Sequence, residues 1–242
     1  LRKMSRTYIH ETLSAQLDTR LKEMGVSGYS IENVSQVQDK NGEWRPIDSD
    51  KDPTVILLHY PSILEDTINY IPPRVKIEIS CLSMDEPTEL RQIRSLIGES
   101  FDGEDTDAES LVRTVVPSRT FLEKLFLLAE EFQKEKPRSV RMSRHLYDLE
   151  KLMDTEYGKE ALSNRELYDA IVEHRKAYYA LKYVNYDSHT PSTINFTIPE
   201  SAMEAWQDDY ADMRRFFIYG ESLEFDALME KMRELQERVR IM

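Results

Sequence analysis

The hydrophobic pattern of this chain changes its period once, near residue 117. Upstream, apolar and polar residues alternate over short runs, and residues 74–82 place Val75, Ile77, Ile79 and Cys81 on one side. Since successive strand side chains point to opposite faces, such runs predict half-buried strands. Downstream, apolar residues recur at helical spacing. The order predicts an α+β fold: a small mixed or antiparallel sheet in residues 1–117, then a mainly helical domain in residues 118–242.

The first part of the chain is predicted to contain a helix and several strands. The helix covers residues 8–24, with Gly25 as its stop signal. Its apolar stripe consists of Ile9, Leu13, Leu17 and Leu21. Strands are predicted at residues 29–38, 54–60, 74–82 and 111–116, with a turn at Asn41-Gly42. Residues 99–109 are acidic and contain a glycine, which predicts a solvated loop.

The second part is predicted to be helical almost throughout. Three pairs have the spacing of a capping box and predict helix starts: Thr120-x-x-Glu123, Ser163-x-x-Glu166 and Thr197-x-x-Glu200. Lys136-Pro137 should end the first of these helices. Further helices are predicted over residues 143–153 and 223–240, and the Ser163 helix should continue to about residue 183.

The charge balance limits how the chain could bind nucleic acid. It has 45 acidic and 32 basic residues, a net charge of −13, so its surface as a whole should not attract a polynucleotide. Two local basic patches could still do so, possible sites for tRNA. They comprise Arg2, Lys3 and Arg6, and then Lys134, Lys136, Arg138, Arg141 and Arg144. The alternative for each patch is an ordinary solvated face.

Composition excludes several other classes of protein. Cys81 is the single cysteine, so neither an internal disulfide nor a cysteine-based zinc site can form. The glycine spacing contains no Walker A and no GxGxxG motif. No apolar run approaches the roughly 20 residues that span a bilayer. We therefore expect a cytoplasmic protein without a membrane partner.

Three segments carry candidate chemistry before any family is considered. Lys76 and Glu78 lie on the polar face of the strand predicted at residues 74–82. A carboxylate there could bind a hard cation such as Mg²⁺, although an exposed ion pair is the alternative. Lys124 is predicted near the start of its helix, where it could reach a triphosphate or be an ordinary surface lysine. Arg144 and Asp148 are four apart on the next helix and could simply pair with each other.

Taken in order, three motifs resemble a family. A strand VKIEI (residues 75–79), a helix containing TFLEKL (120–125) and the segment RHLYDL (144–149) resemble the AbiEii/AbiGii toxin nucleotidyltransferases, members of the polymerase-β-like superfamily. The resemblance implies that the sheet is the remnant of a nucleotidyltransferase core. It also implies a Mg²⁺-dependent transfer of a nucleoside monophosphate from NTP to tRNA or protein, and a cognate antitoxin.

The resemblance also implies roles for particular residues. Lys124 would contact nucleotide phosphate, with Arg144 and Lys76 as further nucleotide-binding candidates. Asp148 would be the essential acid, acting as a base or orienting the nucleophile. Glu78 would be a metal-binding carboxylate. Many members have an aspartate at the position of His145.

One family motif is missing from the sequence. Members carry GG(T/S) followed by SxDxD, whose two aspartates hold the metal ions. The chain has no such motif, and Asp48-Ser-Asp50 lies in a polar turn. It begins at Leu1 within a helical pattern, so we expect the motif upstream of Leu1 and expect these residues to be inactive alone.

A second hypothesis needs no catalysis. The chain could be a helical protein–protein interaction module that uses the apolar stripe of residues 225–239 together with a cluster of tyrosines. The cluster consists of Tyr178, Tyr179, Tyr183 and Tyr186. The alternative is that both features close the hydrophobic core.

Overall fold

The computed structural model describes residues 2–38, 42–48, 52–63, 72–82, 87–101 and 109–242. The chain divides into two compact units, Leu1–Ser83 and Met84–Met242. The unit boundary therefore lies upstream of the change from strand to helix at residue 117, because the last strand pair groups with the helices.

The first unit opens with helix and continues into short strands. Helices α1 (Arg2–Tyr8) and α2 (Ser14–Glu23) are joined by a π-helical turn, so the helix predicted over residues 8–24 begins earlier than its stripe indicated. Gly25 follows with φ +75°, a left-handed conformation that favours glycine and ends the helix. The strands are β1 (Ser30–Asn33), β2 (Gln36–Gln38), β3 (Trp44–Pro46), β4 (Thr54–His59) and β5 (Arg74–Ile79).

These strands form two small antiparallel sheets. One has the order β1-β4-β5 and the other is the pair β2-β3, which divides the single strand predicted over residues 29–38. Ile56 of the central strand is buried, while Ile77 and Ile79 of β5 are half-buried. Lys76 and Glu78 point to the exposed face as predicted, but Val75 is exposed too. Part of the Asn41-Gly42 turn and of the Asp48-Ser-Asp50 segment lies outside the described residues.

The second unit begins with an antiparallel strand pair. Strand β6 (Thr88–Arg94) pairs with β7 (Glu109–Val115), and α3 (Leu96–Ser100) follows β6. Strand β6 was not predicted, because its charged and amide side chains obscure the alternation of apolar and polar residues. Of the predicted acidic loop, residue 99 lies in α3, residue 109 begins β7, and residues 102–108 lie outside the described part.

Six α-helices follow, and they confirm the α+β class. They are α4 (Pro117–Glu131), α5 (Ser143–Met153), α6 (Glu156–Ser163), α7 (Arg165–His174), α8 (Met203–Phe216) and α9 (Phe225–Arg240). Every strand pairing among the described residues is antiparallel. None of the described helices has the length and apolarity that crossing a membrane requires.

The predicted capping boxes are wrong in all three cases. Helix α4 begins at Pro117, a residue favoured in the first turn because it lacks an N–H, so Thr120 lies inside the helix. Ser163 ends α6, and the next residue, Asn164, caps α7 by accepting from the Leu167 N–H. Downstream of Thr197, a 3₁₀ turn (Glu200–Ala202) leads into α8.

The core of the second unit lies among α4, α5, α8 and α9. Leu125, Leu146, Trp206, Leu228 and Leu235 are fully buried. The apolar stripe of α9 therefore faces this core and is not available as a partner surface. The tyrosine cluster differs from this buried stripe, since Tyr178, Tyr179 and Tyr183 are exposed.

A buried network of four charged side chains holds α4 against the end of α7. Arg175 donates to both oxygens of Glu130, at 2.7 and 2.5 Å, and also to Glu123. Arg119 completes the network with a 2.5 Å contact to the other oxygen of Glu123. Burial would lower the pKa of Arg175, but the hydrogen bonds that it donates to Glu130 and the charge of Glu123 outweigh burial and raise it. The guanidinium stays charged, and its ring partner Tyr179 lies 4.6 Å away.

Replacing Gly158 by alanine should destabilise the second unit. A Cβ at this position would lie 2.3 Å from the Leu152 carbonyl oxygen and 2.8 Å from Met153 Cα, both backbone atoms that cannot rotate away. We expect a loss of about 1–3 kcal/mol in the free energy of unfolding, measured by urea denaturation. Lys159→Ala, on the exposed side of the same helix, is the control and should be nearly neutral.

Replacing Arg175 by methionine should be more costly than replacing a surface arginine. The variant leaves the Glu130 carboxylate buried without its partner, which costs about 3–5 kcal/mol in unfolding free energy. The matched control is Arg165→Met, which removes an exposed pair with Asp169 and should cost less than about 1 kcal/mol. Equal losses in the two variants would contradict the importance of the buried network.

Candidate functional site

The two residues singled out most strongly by the sequence meet in the structure. Helices α4 and α5 pack side by side, and Lys124 Nζ lies 2.6 Å from Asp148 Oδ2. Their side chains are 22% and 35% exposed, so the pair lies at the surface of the second unit within reach of a ligand. Lys124 is in the middle of α4 rather than in its first turn, because the helix begins at Pro117.

Arg144 is close to this pair in the chain but is not its partner. The four-residue spacing predicted an ion pair between Arg144 and Asp148. Instead, Asp148 binds Lys124 from the neighbouring helix, and Arg144 is exposed without an ion pair to any residue that the structure describes. Its guanidinium is thus available to an incoming anion.

The start of α5 is fixed by an aspartate that the sequence analysis missed. Asp209 of α8 accepts hydrogen bonds from the Arg141 and Ser143 N–H groups at 2.5 and 2.9 Å, and from Ser143 Oγ at 2.5 Å. These bonds satisfy amides that a helix start leaves unpaired, and the carboxylate also interacts favourably with the helix dipole. No local sequence pattern predicts the role of Asp209, since this residue is far from α5 in the chain.

His145 lies in the first turn of α5 and faces inward. The residue is 8% exposed, and its Nδ1 is buried without a hydrogen-bond partner among the described residues. Burial, together with the charges of Lys124, Arg144 and Arg138, lowers the pKa of His145 to about 3. The ring is therefore neutral near pH 7.

The positive charge of the mid-chain basic patch is partly neutralised by Glu131. Glu131 accepts from the Arg138 N–H at 2.8 Å, from its guanidinium at 3.1 Å, and from Lys134 at 2.7 Å. Burial would raise the pKa of Glu131, but these hydrogen bonds outweigh it and lower the pKa. Lys134 also lies 5.3 Å from the centre of the Tyr183 ring. In the first patch, Arg6 is bound to the Ile47 and Asp48 carbonyl oxygens.

Lys76 and Glu78 form a separate pair in the first unit. Lys76 Nζ lies 2.7 Å from Glu78 Oε1, and both side chains are about half exposed. The described residues contain no group of three or more His, Cys, Asp or Glu side chains arranged to hold a metal ion. A single carboxylate already paired with a lysine does not make a Mg²⁺ site by itself. Glu78 as a metal ligand thus remains a prediction.

The chain matches a known protein family. The model of the family described as nucleotidyl transferase AbiEii toxin, Type IV TA system, matches residues 4–231. No curated protein and no solved structure matches the chain. The matched span includes the strands of the first unit, α4, α5 and the first part of α9. The chain therefore belongs to the AbiEii nucleotidyl transferase toxin family of type IV toxin–antitoxin systems.

Proposed function

We propose that this protein transfers a nucleoside monophosphate from NTP to an acceptor, with Lys124 and Asp148 as its central residues. The contact between these two side chains carries the proposal, because the pair joins two motifs 24 positions apart in the chain (148 minus 124). Family membership supports the reaction class, a cognate antitoxin and divalent-metal use in general. The particular acceptor and the choice of Mg²⁺ belong to the proposal.

Lys124 is suited to bind the triphosphate. Its ammonium already pairs with a carboxylate oxygen at 2.6 Å, and a phosphate oxygen can take the same position. Arg144 is exposed nearby on α5 and can add a second charged contact. In this proposal the two cations neutralise negative charge on the phosphates and hold the chain of phosphates in one orientation.

Asp148 is suited to act on the acceptor once Lys124 has moved to the phosphates. The acceptor hydroxyl oxygen attacks the α-phosphorus, an O–P bond forms, and the bond from phosphorus to the bridging oxygen breaks. Pyrophosphate leaves, and the hydroxyl proton passes to the Asp148 carboxylate. Asp209 acts indirectly, by holding the start of the helix that carries Asp148.

The acceptor is proposed to be the end of a tRNA or a protein side chain. The RNA alternative draws support from the basic residues near Lys124, of which Arg144 is exposed and Arg138 is 66% exposed at its side chain. An overall charge of −13 confines such contact to this patch. Lys76 is proposed as a further nucleotide contact and Glu78 as a metal ligand, both on β5.

Replacing either residue of the central pair should abolish transfer. With protein made from the complete natural reading frame, Lys124→Met and Asp148→Asn should each lower the rate at least roughly 100-fold, the usual cost of removing a positioned charged or acid–base group. The assay follows label from each of the four NTPs into bulk tRNA, and into protein, with Mg²⁺ present. Circular dichroism checks that the variants are folded.

Lys151→Met is the matched control for this experiment. Lys151 lies on the same helix as Asp148, is 43% exposed, and pairs with its neighbour Glu150 at 3.2 Å. Its loss should leave the rate unchanged. Label transfer that survives both central substitutions would rule out the proposed roles, and no transfer by the wild-type protein to any acceptor would count against the function itself.

The 242 residues alone should not catalyse this reaction. The sequence contains neither GG(T/S) nor the SxDxD aspartates of its family. Without those carboxylates, metal affinity and positioning of the triphosphate should both be lost. The same label-transfer assay tests this expectation, and Mg²⁺-dependent transfer by these residues alone would refute it.

A further inference from the structure

We propose that His145 is a further phosphate-contacting residue, its ring donating a hydrogen bond to a triphosphate oxygen that Lys124 and Arg144 also contact. The inference rests on the proposed function and adds a neutral donor to its nucleotide site. It assigns a role to a side chain that the transfer mechanism above does not use.

The ring of His145 has unmet hydrogen-bonding capacity. His145 is 8% exposed, and its Nδ1 has no partner among the residues that the structure describes. Buried polar atoms are nearly always paired, so an unpaired one needs an explanation such as a missing ligand. Rotation of the ring about its Cβ–Cγ bond would turn this nitrogen without moving the backbone.

Positively charged side chains act on the ring of His145. His145 lies on the same helix as Arg144 and Asp148, and Asp148 binds Lys124 at 2.6 Å. Arg138 is the third cation near the ring, held in place by Glu131. An anion in this position would be attracted by the exposed Arg144 and by the N-terminal end of α5, and it could take the place of Asp148 at Lys124.

The protonation state of His145 also suits it to bind phosphate. Burial and the neighbouring cations lower its pKa to about 3, so His145 is neutral near pH 7. A neutral imidazole has one N–H donor and one acceptor nitrogen. The ring can therefore donate to a phosphate oxygen without bringing a further positive charge into the site.

A second buried histidine provides the matched control. His189 is 2% exposed and its Nδ1 likewise has no hydrogen-bond partner in the described part of the chain, while burial followed by the charge of Arg175 lowers its pKa to about 4. Its neighbours are the rings of Phe126 and Tyr186, and the nearby cation, Arg175, is fully engaged by glutamates. His189 therefore has the burial of His145 without available cations.

The experiment uses the same protein as the transfer assay, labelled with ¹⁵N, and follows its imidazole nitrogens by NMR while inorganic tripolyphosphate is added. We expect the His145 resonances to move and saturate, the His189 resonances to stay, and Lys124→Met to abolish the change. Isothermal titration should show that His145→Leu weakens tripolyphosphate binding about tenfold or more, the effect of losing a hydrogen bond to a charged group. His145→Gln, which keeps a donor, should retain most of the affinity, and His189→Leu all of it.

Several outcomes separate this inference from the proposed function. Binding that depends on Lys124 but leaves the His145 resonances and the His145→Leu affinity unchanged would overturn the inference alone. A response of His145 to a single-stranded oligoribonucleotide but not to tripolyphosphate or NTP would overturn its assignment to the triphosphate. No binding of tripolyphosphate or any NTP would overturn both. The wild-type NMR titration decides the matter even where a His145 variant does not fold.

Discussion

The second unit depends on charges that have been removed from water beneath α4. Arg175 reaches from the end of α7 to two glutamates of that helix, and Arg119 holds one of these glutamates from its own helix. Replacing such a network by apolar side chains can preserve stability, so its distinctive contribution is to geometry. Arg175 meets both glutamates of α4 in only one arrangement of the two helices. The network therefore fixes the rotation of α4 about its axis, and with it the direction in which Lys124 points.

The candidate site is assembled by contacts between distant parts of the chain. Lys124 and Asp148 come from adjacent helices, and Asp209 fixes the start of α5 from a third helix. None of these residues contributes much to the hydrophobic core, which lies on the other faces of the same helices. Packing provides the rigid frame, and a few polar contacts set the position of the reactive groups on it.

The sequence predicted the existence and type of the helices and strands better than the residues at which they begin and end. Alternation revealed β4, β5 and β7, and helical spacing located α5 at its observed bounds, because burial of one face imposes the period. Capping was mispredicted because several residues near each helix start have suitable side chains. Helix α4 begins at Pro117 without a side-chain cap, and Asn164 rather than Ser163 caps α7. Glu123 resembled a cap residue, but a buried arginine binds it.

Within the site, the motifs pointed to Lys124, Arg144 and Asp148 but not to their pairing. A spacing of four favoured Arg144 as the partner of Asp148, and the packing of α4 on α5 supplied Lys124 instead. Asp209 could not be found from any local pattern, because its role exists only when α8 lies against α5. Long-range contacts of this kind are set by tertiary packing rather than by neighbouring residues in the chain.

The pairing of Lys124 with Asp148 also affects which ligands the site can hold. The aspartate acts as an internal competitor for the ammonium group, so an anion must displace it before binding. A single weakly charged group, such as acetate or chloride, gains little from that exchange. A chain of phosphates can replace the lost contact and at the same time engage Arg144. The resting site is thus self-neutralised, and it discriminates in favour of ligands with several negative charges over the small anions that are abundant in any cell.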